Sequence, residues 1–260
     1  MKNYDKKFII DLYENGGRLT ERKNKDSYRE IIIQEPVSVN AEGSARVKIG
    51  KTEVIVGVKL NTAEPYQDTP DEGVMMVTAE FSPIADPEFE PGPPKEEAIE
   101  LARVVDRTIR ESHAIDTKKL CIKKGEKVWR VFIDIYIINN DGNLIDASVL
   151  GAMAALKKAK MPKLDKDGNV LFKEHTKKNI PLNATPTACT IFKLDNVLLI
   201  DAEKREEELI DARITLGCFG EYVHSMQKGG KGAFTPEEFN KCVKIAIKKN
   251  KELQKILSKF

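Results

Sequence analysis

The stretch from Trp129 to Lys158, WRVFIDIYIINNDGNLIDASVLGAMAALKK, decides the fold. It opens within a near-continuous apolar and β-branched run, Val128 to Ile138, whose pattern predicts a buried central strand. Asn139-Asn140-Asp141-Gly142-Asn143 then supplies turn chemistry. From Asp146 the chain continues as Ala-Ser-Val-Leu-Gly-Ala-Met-Ala-Ala-Leu, apolar on every side and rich in small residues, which predicts a helix enclosed by other elements. Asp146 is placed to act as its N-cap. A strand, a tight turn and a buried helix can present a phosphate site where the backbone N–H groups of the helix start converge. Leu144, Ile145 and Asp146 stand at that point instead, and an apolar pair with a carboxylate is a poor anion cradle. Taken alone, the stretch reads as structural core.

Upstream, Lys95–Ser112 (KEEAIELARVVDRTIRES) has Ala98, Leu101, Ala102, Val105 and Ile109 at helical spacing, predicting a surface helix with one face on the core. Glu96, Glu97 and Glu100 precede the arginines, in the order that the helix dipole favours. Arg103, Arg107 and Arg110 recur on one face. They read either as a solvated face tied by Glu100–Arg103 and Asp106–Arg110 pairs or as a row of contacts to nucleic-acid phosphates. Earlier still, Lys6–Asn15 carries Phe8, Ile9, Leu12 and Tyr13 in an amphipathic helix stopped by Gly16-Gly17. Arg18–Arg29 (RLTERKNKDSYR) reads as a basic, solvated loop. Glu30–Glu35 and Val74–Phe81 are short strands, and Gly43–Lys59 is a hairpin around Gly50-Lys51. Asn61–Gly73 is an acidic loop, and Ser82–Pro94, with its five prolines, is a non-helical crossing.

Downstream, Ala159–Asn179, with Pro162, Asp167-Gly168-Asn169 and many lysines, marks a boundary between halves 1–160 and 180–260. The pattern then restarts. Ala188–Leu194 and Val197–Asp201 flank Asp195-Asn196 as a hairpin, and Ala212–Phe219 and Glu221–Met226 are two more strands. Thr235-Pro236-Glu237-Glu238 opens a final helix with Thr as cap, Pro at the first position and Glu three residues on. Both halves read as strands in hairpins followed by helix, a duplicated α+β layout.

Composition sets limits on function. Lys and Arg number 43 against 41 Asp and Glu, so no global field draws the chain to polyanions and any nucleic-acid contact is local. Cys121, Cys189, Cys218 and Cys242 form no CxxC, and with three histidines they complete no zinc pattern, so neither metal nor cofactor is expected. With no membrane-length apolar run and a start too charged for a signal peptide, a soluble cytoplasmic protein with reduced thiols is expected.

Four segments together resemble the RNase PH family: GSARVKIGKTEVIVGVK (43–59), ELARVVDRTIRES (100–112), WRVFIDIYIINNDGNLIDAS (129–148) and LIDAEKREEELIDARITLG (199–217). They occur in the family's order, and the likeness is strongest to its non-catalytic branch, the RNase PH-like subunit of the archaeal exosome. The resemblance implies an α+β fold of duplicated βαβα units, like the second domain of ribosomal protein S5. It implies a catalytic RNase PH-like partner, with three pairs closing a hexameric ring, RNA-binding cap proteins on that ring, and single-stranded RNA as ligand. Active members carry an Arg- or Ser/Thr-bearing phosphate loop after the central strand and paired aspartates near 201–211. This chain has Gly142 to Asp146 in the first place, and Glu206-Glu207-Glu208 with only Asp211 retained in the second. The resemblance therefore implies no catalytic residues here. It makes Arg107 and Arg110, with Arg103 less central, contacts to the RNA backbone. The alternative is an active phosphate-dependent 3′-to-5′ exoribonuclease with an unusual site.

Overall fold

A computed structural model describes residues 2–15, 17–19, 22, 24–34, 36–166 and 168–260. Twelve strands and five α-helices are described. The first sheet takes β1 (Ile31–Gln34), β2 (Gly43–Ile49), β3 (Thr52–Ala63), β4 (Val74–Phe81), β5 (Cys121–Lys123) and β6 (Lys127–Asn139). Its order is β1-β2-β3-β6-β4, with β5 also on β6. Hairpin neighbours pair antiparallel, but β4 runs parallel to β6. A parallel pair needs a long crossover, and helix α2 (Glu96–Glu111) supplies it.

Val131, Ile133, Ile135 and Ile137 of β6 are buried, whereas Tyr136 is 43% exposed. The apolar run predicts a strand buried on both faces, and the structure buries only one of them. Helices α2 and α3 (Leu144–Lys158) contact the same sheet. Alternation along β6 sends one set of side chains towards them and leaves the other on the open face.

The second sheet, β10-β9-β11-β12, is antiparallel throughout, with β9 (Thr187–Leu194), β10 (Val197–Ile200), β11 (Ala212–Phe219) and β12 (Tyr222–Gly230). Helix α3 touches β2 and β3 of the first sheet and β9 of the second. It is enclosed from both sides, which explains its apolar circumference. Gly151 lets it approach: a Cβ there would stand 2.7 Å from Val56 Cγ2. The other face of the second sheet, with Cys189, Ile191, Ile214 and Leu216, packs on Cys242 and Ala246 of α5 (Pro236–Lys259). Thr235 caps α5 in the predicted capping box. Helix α1 (Lys2–Glu14) sets Ile9 and Tyr13 against Phe192, Leu194 and Leu199 of the second sheet.

The structure revises several local readings. Asp146 is not the N-cap of α3; Asn143 is, in the left-handed region at φ 59, and Asp146 lies buried in the first turn. The segment 18–29 is not a solvated loop, since Arg18 and Arg29 are only 7% and 8% exposed. Thr20, Glu21 and Lys23 of that loop, Gly16 of the helix stop and Glu35 of the first strand lie outside the described residues. The lysine-rich boundary is a two-stranded ribbon, β7 (Lys160–Leu164) with β8 (Val170–Asn179), although Asp167 at its tip is also outside the described residues.

Candidate functional site

The turn between β6 and α3 is shaped by two positive-φ residues. Gly142 has φ 81, and a Cβ on it would lie 2.5 Å from Ala202 O. Asn143 follows with φ 59, which asparagine tolerates better than most residues. A helix start is an anion position by nature, because its N–H groups lack partners within the helix. Here one of those N–H groups has an acceptor from within the chain. The Asn143 N–H donates to Glu207 Oε1 at 2.7 Å, from the short helix α4 (Lys204–Glu207). Burial pushes the Glu207 carboxyl up to about 7, against the lowering effect of that N–H bond and of Arg213.

Asp146, the carboxylate that the sequence places in the path of phosphate, points inward instead. It accepts hydrogen bonds from Tyr28 OH at 2.8 Å, Thr190 Oγ1 at 2.7 Å, Thr190 N–H at 3.1 Å and Asn143 Nδ2 at 3.2 Å. Burial raises it to about 6. The carboxyl group that meets the helix start is therefore Glu207, brought there only by the fold.

Behind the turn lies a lock of buried charge. Asp201 Oδ2 accepts the Arg29 backbone N–H at 2.7 Å, Arg29 Nε at 3.0 Å and Arg22 Nη1 at 3.0 Å. Its Oδ1 accepts Arg29 Nη2 at 2.8 Å and Asn143 Nδ2 at 3.0 Å. Burial alone would raise the Asp201 pKa, but the Arg29 bonds and charge outweigh it and hold the carboxyl below its usual range. Arg29 Nη1 also reaches Asp141 O at 2.7 Å, so the lock fixes the turn itself. Glu206 accepts from Tyr13 OH and lies 3.4 Å from Arg18 Nη2. Asp211, the aspartate that the resemblance singles out, is elsewhere: it pairs with Lys6 at 2.6 Å and accepts the Asp195 N–H of the β9–β10 turn.

The arginines of α2 separate into two kinds. Arg110 Nε and Nη2 grip Asp106 at 3.0 and 2.7 Å, and Nη2 also reaches Met75 O at 3.3 Å. The predicted Glu100–Arg103 pair does not form. Glu100 binds Arg213 at 2.7 Å and Gln227 at 3.4 Å, which leaves Arg103 exposed and without an ion pair among the described residues. Arg107 Nη2 donates to Gln227 Oε1 at 2.6 Å. Arg103 and Arg107 share a shallow groove with Gln227, and Arg110 lies outside it. Gln227 comes from β12, and nothing in the sequence pattern singles it out.

The profile of the 3′ exoribonuclease family matches the chain twice, its domain 1 at residues 27–162 and its domain 2 at residues 184–249. The chain belongs to the RNase PH family. Among curated proteins it is 44% identical over 256 residues to the exosome complex component Rrp42 of Methanothermobacter thermautotrophicus, covering 98% of this chain and 94% of that one. Among solved structures, a chain of the Archaeoglobus fulgidus exosome with RNA bound to the active site superposes with a TM-score of 0.90 at 40% identity, over 98% of each chain. A chain of an archaeal exosome core gives 0.87 at 36% identity, over 99% of this chain and 97% of that one. The α+β, RNase PH-like fold expected from the four segments is therefore the fold of this chain. Within this RNase PH fold, the junction after β6 carries neither arginine nor hydroxyl in its turn, and the Asn143 N–H at its helix start is taken by the Glu207 carboxyl group.

Proposed function

We propose that this chain is the catalytically silent, RNA-binding subunit of an archaeal exosome. It pairs with an active RNase PH-like subunit, and three such pairs form a hexameric ring that degrades RNA from its 3′ end by phosphorolysis. The observation that carries this reading is the Glu207 carboxylate on the Asn143 N–H. Phosphorolysis uses inorganic phosphate as its nucleophile, so catalysis depends on holding that anion and offsetting charge at the transferred phosphoryl group. The Asn143 N–H, bonded to an internal carboxyl group, is not free to hold phosphate. The names of the curated relatives and the archaeal exosome structures support placement in such a ring.

The RNA-binding part of the proposal rests on the groove at α2. Arg103 forms no ion pair among the described residues and Arg107 donates to Gln227, in a groove that Glu96 and Glu100 also line, whereas Arg110 is bound to Asp106 and takes a lesser part. Backbone phosphate contacts are sequence-tolerant and salt-dependent, which suits a machine that degrades many RNAs. On this reading the protein is cytoplasmic, needs no cofactor, and shares its ring with RNA-binding cap proteins. No helix among the described residues is long and apolar enough to cross a membrane.

The test is phosphate-dependent release of nucleoside diphosphates from single-stranded RNA, first with the purified chain and then with an active RNase PH-like partner added. The expected result is silence alone, and activity in the mixture above that of the partner by itself. Phosphorolysis by the chain alone, lost on phosphate removal, would overturn the proposal.

A further inference from the structure

The half-buried Arg107 side chain has one polar contact among the described residues, and that contact is not an acid. Its Nη2 donates to Gln227 Oε1 at 2.6 Å. An amide oxygen carries no net charge, so this bond fixes the guanidinium without neutralising it. Arginine presents its N–H donors in a planar fork, and those not on Gln227 remain for a ligand. The carboxylate of the same groove that could neutralise Arg107 is Glu100, and other groups hold it. Glu100 Oε2 accepts Arg213 Nη2 at 2.7 Å, and its Oε1 accepts Gln227 Nε2 at 3.4 Å. The second bond orients the amide: with its nitrogen on Glu100, its oxygen is left for Arg107.

The relay Arg213–Glu100–Gln227–Arg107 passes between the two halves of the chain. Arg213 and Gln227 stand on β11 and β12, and Glu100 and Arg107 on α2. Arg213 crosses to the helix over Gly229, its partner on β12, where a Cβ would stand 2.9 Å from Arg213 Cζ. Thr108, next to Arg107, and Ser225, on the same strand as Gln227, bring their hydroxyls to 3.1 Å. Helix and strand are thus joined beside the guanidinium, and its acceptor stands on a paired strand rather than a loop. Arg103, exposed and without an ion pair among the described residues, has no such holder. A long side chain loses rotamer freedom on binding, and one already held loses less.

We infer that Gln227 is a positioning residue for RNA binding: it holds Arg107 with its charge intact, so that less freedom is lost when a backbone phosphate binds. The inference rests on the reading that the groove at α2 binds RNA.

Single-stranded RNA binding by the chain assembled with its active partner, measured over a range of salt, tests it. Gln227→Met keeps the length of the side chain and removes the acceptor. It is expected to weaken binding about fivefold, with the salt slope and denaturant midpoint of wild type. Gln227→Glu keeps an acceptor but neutralises Arg107. It should also reduce the slope of log affinity against log salt by about 0.7, the share of one phosphate contact on a single strand. In an Arg107→Ala background, Gln227→Met should cost nothing more. A glutamine that only braced the fold would lower the midpoint and cost affinity in either background. Wild-type affinity in Gln227→Met, or an equal loss with and without Arg107, overturns the positioning role and leaves α2 in the RNA path. Should Gln227→Met fail to fold, an unchanged salt slope in Gln227→Glu overturns it in the same way. Wild-type affinity in Arg103→Glu with Arg107→Glu overturns the RNA-binding reading of the groove, and this role with it.

Discussion

Two sets of three arginines meet opposite fates in this chain. Arg18, Arg22 and Arg29 occupy the segment that is more polar in sequence, yet they turn inward onto Asp201 and Glu206. Arg103, Arg107 and Arg110 occupy a helix with a strong apolar face, yet they stay at the surface or half-buried. What separates them is the position of the carboxylates, not the local density of charge. Asp201 lies 172 residues beyond Arg29, and only the packing of the second sheet against the turn at 140–143 brings the two together. On α2 the available acids are local or already taken: Asp106 holds Arg110, and Arg213 takes Glu100 away from Arg103.

Breaking the inward set has the largest expected effect. Arg29→Ala strips Asp201 of its main partner and leaves a buried carboxylate uncompensated, a change of about 3–5 kcal/mol, read as a lower denaturant midpoint. An unchanged midpoint would show that Arg22 alone satisfies Asp201. The outward set should behave in the reverse way. Arg103→Glu with Arg107→Glu is expected to leave stability within about 0.5 kcal/mol. It should weaken single-stranded RNA binding by the assembled complex about tenfold and flatten its salt dependence. Wild-type RNA affinity in that variant would remove α2 from the RNA path.

Titration sharpens the contrast further. Folding raises Asp146 and Glu207 to about 6 and about 7, both by burial, whereas exposed carboxyls titrate near about 4. The native state therefore binds more protons than the unfolded chain between those values. The stability tied to these two groups is complete below about pH 4 and is lost as pH rises through 6 and 7. Asp201, held low by Arg29, acts in the opposite direction, and only as the solution becomes more acidic than that. The melting temperature should fall from pH 5 to pH 8, and Asp146→Asn with Glu207→Gln should flatten that fall; an equal slope in wild type and variant would assign the titration to other groups. The smallest effect is expected from Arg110→Ala, a loss of RNA affinity below about threefold, because Asp106 already neutralises that guanidinium. A loss matching the Arg103–Arg107 pair would place the RNA on the other side of α2.

The elements built from local pattern were legible in the sequence. The apolar circumference of 147–156 foretold an enclosed helix, and α3 does lie between the two sheets. Thr235 to Glu238 foretold the capping box of α5. The candidate site was legible only in part. The lack of arginine and hydroxyl groups is plain from Gly142 to Asp146, but the placement of the carboxyl groups is not: Asp146 turns into the core, and Glu207 takes the Asn143 N–H. Both residues are acidic, and nothing in sequence spacing says which of them reaches a given N–H.

By itself, then, the sequence determined the periodic elements, their duplicated order and the absence of arginine and hydroxyl groups from Gly142 to Asp146. Periodicity and residue type act over a few neighbouring positions and are set by local backbone geometry. Only the tertiary structure decided that β4 joins β6 in parallel, that Arg18 to Arg29 are core residues, and that Gln227 stands beside Arg107. The physical reason is common to all three. Buried polar groups must find partners, and which partners lie within hydrogen-bond reach depends on how two sheets pack around one helix, a relation between segments far apart in the chain.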